Sequence, residues 1–456
     1  QALGHVRRIE KPRRRSGDSG DWYRNTGRAD DARGFGYVKQ VRIRRMLATN
    51  PYAAKVRQTL QNNLVGFGIV GTPAKSTPKK VSELWKLFVK NADWLNRLDF
   101  YGLQDLSIGA MVGDGESFIV RRFDRSKKGA SPTRIEVLGK DMLATGRTGE
   151  PIEYDDAGRP KRYHFWKDRR KRGLATSGNI VSFDAADVIH LFRQDWPGQT
   201  RGASIFEPVV KRFEDLDEYI DAEVVRKKIE ACFAVFITPS EDYDSEPVDV
   251  GAQSEDQSEF DLDIEYLEPG MVTRGRPGDQ VTFGEPKPSA AIMEFSRVTL
   301  LGATAGAGVP YEHGTGDLSN VNYSSYRAGS LEFQRFCGRL QWLLIIPVML
   351  ERIWDWFLQD CYETGLIAKR FHEIQWTPPA FGSLDREKDA KADIVEILGG
   401  LSSLRKLVAA RGENIEDLMT EIDGDAPFIQ KLIELFGSYG GNLGAKQQRK
   451  PDDASE

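Results

Sequence analysis

The chain has 456 residues, 40% of them hydrophobic and 29% charged, with a formal net charge of −4. That is room for two or three domains with ordinary cores, and it excludes a molecule that is basic as a whole. Three scattered cysteines, Cys232, Cys337 and Cys361, with no CxxC or Cys/His cluster, support neither a zinc site nor a disulfide framework and fit a reducing compartment.

Residues 1–45 hold thirteen Lys/Arg against five Asp/Glu, without periodicity, and read as a flexible basic arm. Contact with nucleic acid, contact with an acidic neighbouring subunit and a solvated tail all remain open for it. No signal-type segment is read there. Asn50-Pro51 opens a helix with Leu60, Leu64 and Val65 on its stripe. Residues 81–111 read as helical, with Leu84, Leu87, Phe88, Trp94, Leu95, Leu98, Tyr101 and Leu106 as candidates for the core face. SFIVRRF, RIEVLG, KRYHFW and DVIHLF are short strand-type runs, and DDAG at 155–158 is a hairpin turn, so residues 50–200 form an α+β domain. His164 and His190 lie on these strands without ligand-type partners in a motif, and packed histidines are the expectation.

Residues 206–233 read as a second long helix, striped by Phe213, Leu216, Ile220, Val224, Val225 and Ile229. Residues 241–268 carry twelve Asp/Glu and no Lys or Arg, including Asp242, Asp244, Asp256, Asp261 and Asp263. The convergent loop of a hard-cation site is missing, so a solvated acidic surface is the default. A strand-like VTFG follows at 281–284. Residues 289–308 read as a helix ending in glycines, with neither GxxxxGK[ST] nor GxGxxG in context. Residues 309–322, VPYEHGTGDLSNVN, form a polar turn-rich loop. Behind it a helical pattern runs over 324–358, about 50 Å at 1.5 Å per residue. Pro347 inside it predicts a kink. The run LLIIPVML at 343–350 is far shorter than the roughly 18 apolar residues a membrane span needs. Three short helical patterns at 385–398, 402–411 and 415–422 close the ordered part, and 437–456 reads as disordered.

The segment VPYEHGTGDLSNVNYSSYRAGSLEFQR resembles the corresponding stretch of lambda-type phage portal proteins. Six further segments resemble that family in the same order: NPYAAKVRQTLQNNLVGFGI, GDGESFIVRRF, IEYDDAGRPKRYHFW, DVIHLFRQDWPGQTRGASIFEPV, DLDEYIDAEVVRKKIEACFAVFIT and IQWTPPAFGSLDREKDAKADIVEI. The resemblance implies a multidomain α+β portal fold. Its basic arm would be 1–45, its wing 46–205, and its stem helices 206–235 and 289–308. The acidic clip would be 236–288 and the tunnel loop 309–322. A kinked helix with a return to the wing would occupy 323–384, a helical crown 385–436, and a disordered tail 437–456.

The same resemblance implies a homo-dodecameric ring at one capsid vertex, assembled in the host cytoplasm and carried in the virion, through which double-stranded DNA is packaged and ejected. It implies no catalysis, cofactor, metal or membrane. Its partners would be the terminase large subunit, a head-completion or adaptor protein and the major capsid protein. Glu312, His313, Asp317, Asn320 and Asn322 are the expected channel residues, Pro347 the kink, and the acids Asp242, Asp244, Asp256, Asp261 and Asp263 the docking surface. His313 stands where family members usually carry an apolar residue. The alternative is a metal-dependent nucleic-acid-processing enzyme, which would need clustered acids around an ion.

Overall fold

The computed structural model describes residues 36–126, 129–144, 151–168, 179–231, 235–238, 280–283, 291–382, 386–411 and 415–436. Helix α1 (Gly36–Thr49) is followed at once by α2 (Pro51–Leu64), because Asn50 ends one and starts the other. Its Oδ1 accepts the Ala53 N–H at 2.8 Å, satisfying a first-turn donor that has no partner within the helix. Then come β1 (Val70–Pro73), α3 (Lys79–Lys90) and α4 (Phe100–Asp114).

The helical run expected over 81–111 is therefore two helices, and the break falls at 91–99, ahead of Gly102. The cause is Asp93. Its buried carboxylate accepts backbone N–H groups from Leu95, Arg97 and Leu98, winding the chain into a tight turn, and Asn96 takes a left-handed φ of 53°. Asp99 then caps α4 by accepting the Gly102 N–H at 2.8 Å. Trp94, Leu95, Leu98, Leu87 and Leu106, all assigned to the core face, are exposed.

Strands β2 (Glu116–Phe123), β3 (Thr133–Gly139), β4 (Ile152–Tyr154), β5 (Pro160–Trp166), β6 (Ile180–Asp184) and β7 (Val188–Phe192) follow. They form two three-stranded antiparallel sheets, β3-β2-β7 and β4-β5-β6. The expected turn joins β4 to β5: Asp155 Oδ1 accepts from Ala157 N and Arg159 N, and Gly158 takes a φ of 77°. Helix α5 (Val210–Ala231) precedes the pair β8 (Val235–Thr238) and β9 (Gln280–Phe283). Next are α6 (Ala291–Gly306), the single turn α7 (Tyr311–Thr315), and α8 (Tyr323–Leu340). A ten-residue π-helical segment, Gln341–Leu350, continues α8 into α9 (Glu351–Glu363). Strand β10 (Ile374–Thr377) and helices α10 (Arg386–Leu398), α11 (Leu404–Ala410) and α12 (Ile415–Phe436) complete the chain. Helix α12 extends well past the expected 422, because Pro427 removes one backbone bond without ending it.

The chain divides into two compact units. The first comprises residues 36–41, 57–204 and 319–436. Its two three-stranded sheets share a core of Phe118, Val120, Leu143, Ile152, Tyr163, Phe165 and Val188. A second core gathers Trp85, Phe88, Phe100, Trp354, Phe357 and Trp376, most pairs meeting edge-on or tilted at centroid separations of 4.9–6.1 Å. Each indole N–H there finds an acceptor: Trp85 on Gly71 O, Trp354 on His372 O, Trp376 on Glu351 Oε1. Strands β1 and β10 pair antiparallel over Gly71, where a Cβ would lie 2.5 Å from the Trp376 ring. Gln341 donates to the carbonyls of Asn63 and Leu64, satisfying the open C-terminus of α2.

The second unit comprises residues 42–56 and 205–318. Here Arg42 Nε donates to Glu214 Oε1 at 2.6 Å, and Asn50 Nδ2 to Asp217 Oδ1 at 2.8 Å, tying the start of the unit to α5. Helices α5 and α6 pack through Tyr219 and Phe295, ring centroids 4.3 Å apart. The glycines that end α6 are contact points: a Cβ at Gly306 would lie 2.4 Å from Val209 Cγ1. On α5, Phe213 and Leu216 are fully buried, whereas Val224 and Val225 of the expected stripe are exposed.

Candidate functional site

The residues singled out from sequence fall in three places. The acids Asp242, Asp244, Asp256, Asp261 and Asp263 lie outside the described residues. The strands β8 and β9 that bracket this segment pair in register from Val235↔Phe283 to Thr238↔Gln280.

The second place is residues 309–322. The expected irregular loop contains a helical turn, α7, because Pro310 fixes the entry φ and Gly316 ends it in the left-handed region at φ 79°. Gly316 N–H donates to Glu312 O at 2.8 Å. Gly314 is buried, and a Cβ there would lie 2.5 Å from Thr304 Cγ2, so this glycine permits close packing on α6 and does not confer mobility. Tyr311 is the hub. Its hydroxyl donates to Asp317 Oδ2 at 3.2 Å, its carbonyl accepts from Thr315 Oγ1 at 2.8 Å, and the Arg297 guanidinium stands 5.9 Å from its ring centroid. Burial and the Asp317 carboxylate together push the Tyr311 phenol above its ordinary value. Thr315 Oγ1 accepts the Asp317 N–H, closing the turn.

Glu312, His313 and Asp317 are half-buried, while Leu318, Ser319 and Asn320 are exposed. Burial pushes the His313 imidazole below the ordinary value, with Lys55 adding to that and Glu312 opposing it. Asn322 is a helix cap: its Oδ1 accepts the Ser325 N–H at 2.8 Å, so its first task is to start α8. The structure thus gathers Glu312, His313 and Asp317 on one turn and sets Asn320 and Asn322 beyond it. Sequence reading missed Tyr311 and Arg297. The spacing Tyr-x5-Asp across a glycine was the available signal for the first, and nothing local signals the second.

The third place is Pro347. The helix does not break there; it widens. The Glu351 N–H reaches Ile346 O, five residues back, and the proline, which has no N–H to donate, sits exposed in the widened stretch. Ile345, Ile346, Met349 and Leu350 are buried on its inner face, while Trp342 and Leu343 are exposed.

Two buried carboxylates outside these places sit in networks of charged and polar partners. Asp360 accepts from Thr133 Oγ1 at 2.6 Å and from both Nε and Nη2 of Arg121. Burial pushes its carboxyl up, and the Arg121 and Thr133 bonds oppose that. Glu116 accepts from Arg201, from His190 Nε2 at 2.9 Å and from the Gly202 N–H at 3.1 Å, with Lys140 Nζ 3.6 Å away. Burial pushes Glu116 up, yet Arg201, His190 and Lys140 outweigh it and hold the carboxyl well below the usual range. Burial pushes His190 below its ordinary value against the pull of Glu116. Both are fixed ion networks inside the fold. Among the described residues no group of three or more His, Cys, Asp or Glu is placed to hold a metal, and no helix is long and apolar enough to cross a membrane.

Residues 15–341 match the model of the family described as phage portal protein, lambda family. Portal protein B of Escherichia phage lambda is 22% identical over 433 residues, covering 82% of this chain and 81% of the relative. The probable portal protein of Halomonas phage phiHAP-1 is 22% identical over 438 residues, covering 89% and 82%. Among solved structures, the neck of an empty gene transfer agent particle aligns over 81% of this chain and 92% of that one at 15% identity, with a TM-score of 0.49. A portal protein of the HK97 family from Corynebacterium diphtheriae aligns over 75% and 95% at 10% identity, with a TM-score of 0.34.

Proposed function

The chain belongs to the lambda family of phage portal proteins, and from that membership we infer that it is the subunit of a closed homo-oligomeric ring at one capsid vertex, dodecameric in the mature particle. Genomic DNA passes through the ring during packaging and ejection. The observation that carries this is the family match over 327 residues, from 15 to 341, together with relatives aligned over four-fifths of both chains. It favours the ring over a metal-dependent nucleic-acid-processing enzyme.

The single chain supports the same reading physically. Helix α6 leaves Met293 80% and Val298 68% exposed, apolar area that a neighbouring subunit would cover. Heterologous contacts of this kind close into rings when the rotation permits. The exposed Ser319 and Asn320, just past the turn held by Tyr311, present polar groups to the channel without reading sequence, since packaging accepts any base. The acidic segment 236–288 docks the terminase large subunit and then a head-completion protein, its charge steering basic partners in a salt-dependent way. The major capsid protein holds the outside. Energy comes from the terminase.

Negative-stain imaging of the purified protein tests the class: rings with a central hole are expected, and monomers at every salt concentration would refute them. Deleting residues 318–320 tests the loop without disturbing Gly314. Rings should still form while DNA packaging falls sharply; normal packaging by such rings would make the segment a mere connector.

A further inference from the structure

Helix α3 is sharply two-sided. Val81, Leu84, Trp85 and Phe88 are buried, and Lys79, Glu83, Lys86 and Lys90 form one exposed stripe at helical spacing. Lys80 and Lys75 add two more exposed charges at its start. Lys79, Lys80, Lys86 and Lys90 make no ion pair among the described residues. At the N-terminus of α3, Pro78 occupies the cap position without a side-chain acceptor; its carbonyl accepts the Val81 N–H at 2.9 Å, and the Lys79 and Lys80 N–H groups have no side-chain cap.

Beside it lies a shallow cavity of about 330 Å³, whose polar lining is Lys75, Thr77, Lys79, Ser82 and Lys86 together with one carboxylate, Glu83. Thr77 is 8% exposed, and its hydroxyl has no hydrogen-bond partner. A buried hydroxyl without a partner is costly to keep. Here it borders a cavity on which three lysines, Lys75, Lys79 and Lys86, outnumber the single Glu83 carboxylate.

We propose that the turn between β1 and α3 is a phosphate-binding site and that its occupant is the sugar–phosphate backbone of nucleic acid. Helix-terminal N–H groups, the Thr77 and Ser82 hydroxyls and the lysine ammonium groups are the donors that phosphate oxygens accept from. Carboxylates accept from the same donors, so the choice of occupant rests on the lysines recurring along the helix, which the regular charge repeat of a phosphate backbone matches. The stripe from Lys79 to Lys90 spans about 16 Å at 1.5 Å per residue. Over that length one strand of a duplex presents about five phosphates, at 3.4 Å each. The site is separate from residues 309–322 and gives the protein a second, sequence-independent hold on DNA. Only the source of the nucleic acid rests on the portal reading; the chemistry of the site does not.

The test measures binding of a short duplex DNA to the full chain across a salt series, with inorganic phosphate and polyglutamate as competitors. Lys79→Ala with Lys86→Ala should flatten the log–log salt slope by about 2, since each phosphate contact contributes about 0.9. Inorganic phosphate should compete, and Thr77→Val should weaken that competition roughly tenfold, the loss of one hydrogen bond to a charged group. Thr77→Val should leave the melting temperature unchanged or higher, because it removes an unpartnered buried hydroxyl. An unchanged salt slope would overturn the proposal. So would polyglutamate binding that the double substitution abolishes while DNA binding persists, which would make this a protein-docking face. A melting temperature lowered by Thr77→Val would show that the hydroxyl caps α3 instead. Rings should form normally in every variant, so a failure here is distinct from a failure of the portal reading.

Discussion

The sheet body of the first unit and helix α6 of the second satisfy their side chains in different ways. In the body, Asp360 is 1% exposed and is held by Arg121 and Thr133, and Glu116 is fully buried among Arg201, His190 and Lys140. On α6, Met293, Val298 and Leu301 stand in solvent. The body completes its interactions within one chain. The helix does not, and its apolar residues have a purpose only against another surface. One region therefore answers to the stability of the monomer, and under the proposed function the other answers to assembly.

Substitutions should separate the two. The largest effect on stability is expected from Asp360→Ala, which strips the buried Arg121 of its closer carboxylate and leaves it only Asp187 Oδ1 at 3.4 Å, at a cost of about 3 kcal/mol. Chemical denaturation should register it as a lower midpoint with an unchanged slope. A cost below about 1 kcal/mol would mean that water reaches Arg121 and the body is less closed than described.

Acidification probes the same region. His190 is held below its ordinary value and Glu116 well below its own, so in both cases the unfolded chain binds more protons. Stability is then full at neutral pH. It falls as the pH drops below about 6.5 for the histidine and again below about 4.3 for the glutamate. The melting temperature should decline from pH 7 to pH 5, and His190→Gln should flatten that part of the profile. A wild-type profile flat over this range would break the argument.

Gly314→Ala is expected to cost about 1–3 kcal/mol by overpacking, because its Cβ meets Thr304. If it were neutral, α7 would not be seated on α6 as found. Smaller still is the chemical consequence of burial at the cysteines, whose thiols are pushed up to about 12 at Cys337 and about 11 at Cys361. Neither should react with a thiol reagent at neutral pH until the chain unfolds.

What could be read from the sequence was local. The strand runs and the DDAG turn carry their own signals in alternation and turn chemistry. Helices α5 and α6 carry theirs in period and length. The break at 91–99 could not be read, because it depends on one carboxylate, Asp93, folding back onto three later N–H groups. The Glu116 network joins residues 74 and 85 positions apart, and nothing near Glu116 announces His190 or Arg201. Gly314 invites a reading of flexibility, yet its missing Cβ is needed by Thr304, a neighbour that only folding supplies. At Pro347 the sequence predicts a kink; the structure has a π-helical stretch of ten residues there, a widening that the sequence does not announce. Among the site residues, the carboxylates of the acidic segment remain a matter of charge alone, whereas Tyr311 and Asn322 acquire definite tasks.

The division between a self-sufficient body and an unfinished helix is tested most directly by native mass measurement of Met293→Ser/Val298→Ser/Leu301→Ser beside the wild type. The exposed positions should leave the melting transition of the lone chain within about 0.5 kcal/mol of wild type. The wild type should run as a closed ring of identical subunits and the triple variant as a monomer. Rings of unchanged mass in the triple variant, or a wild type that is monomeric at every salt concentration, would contradict the account.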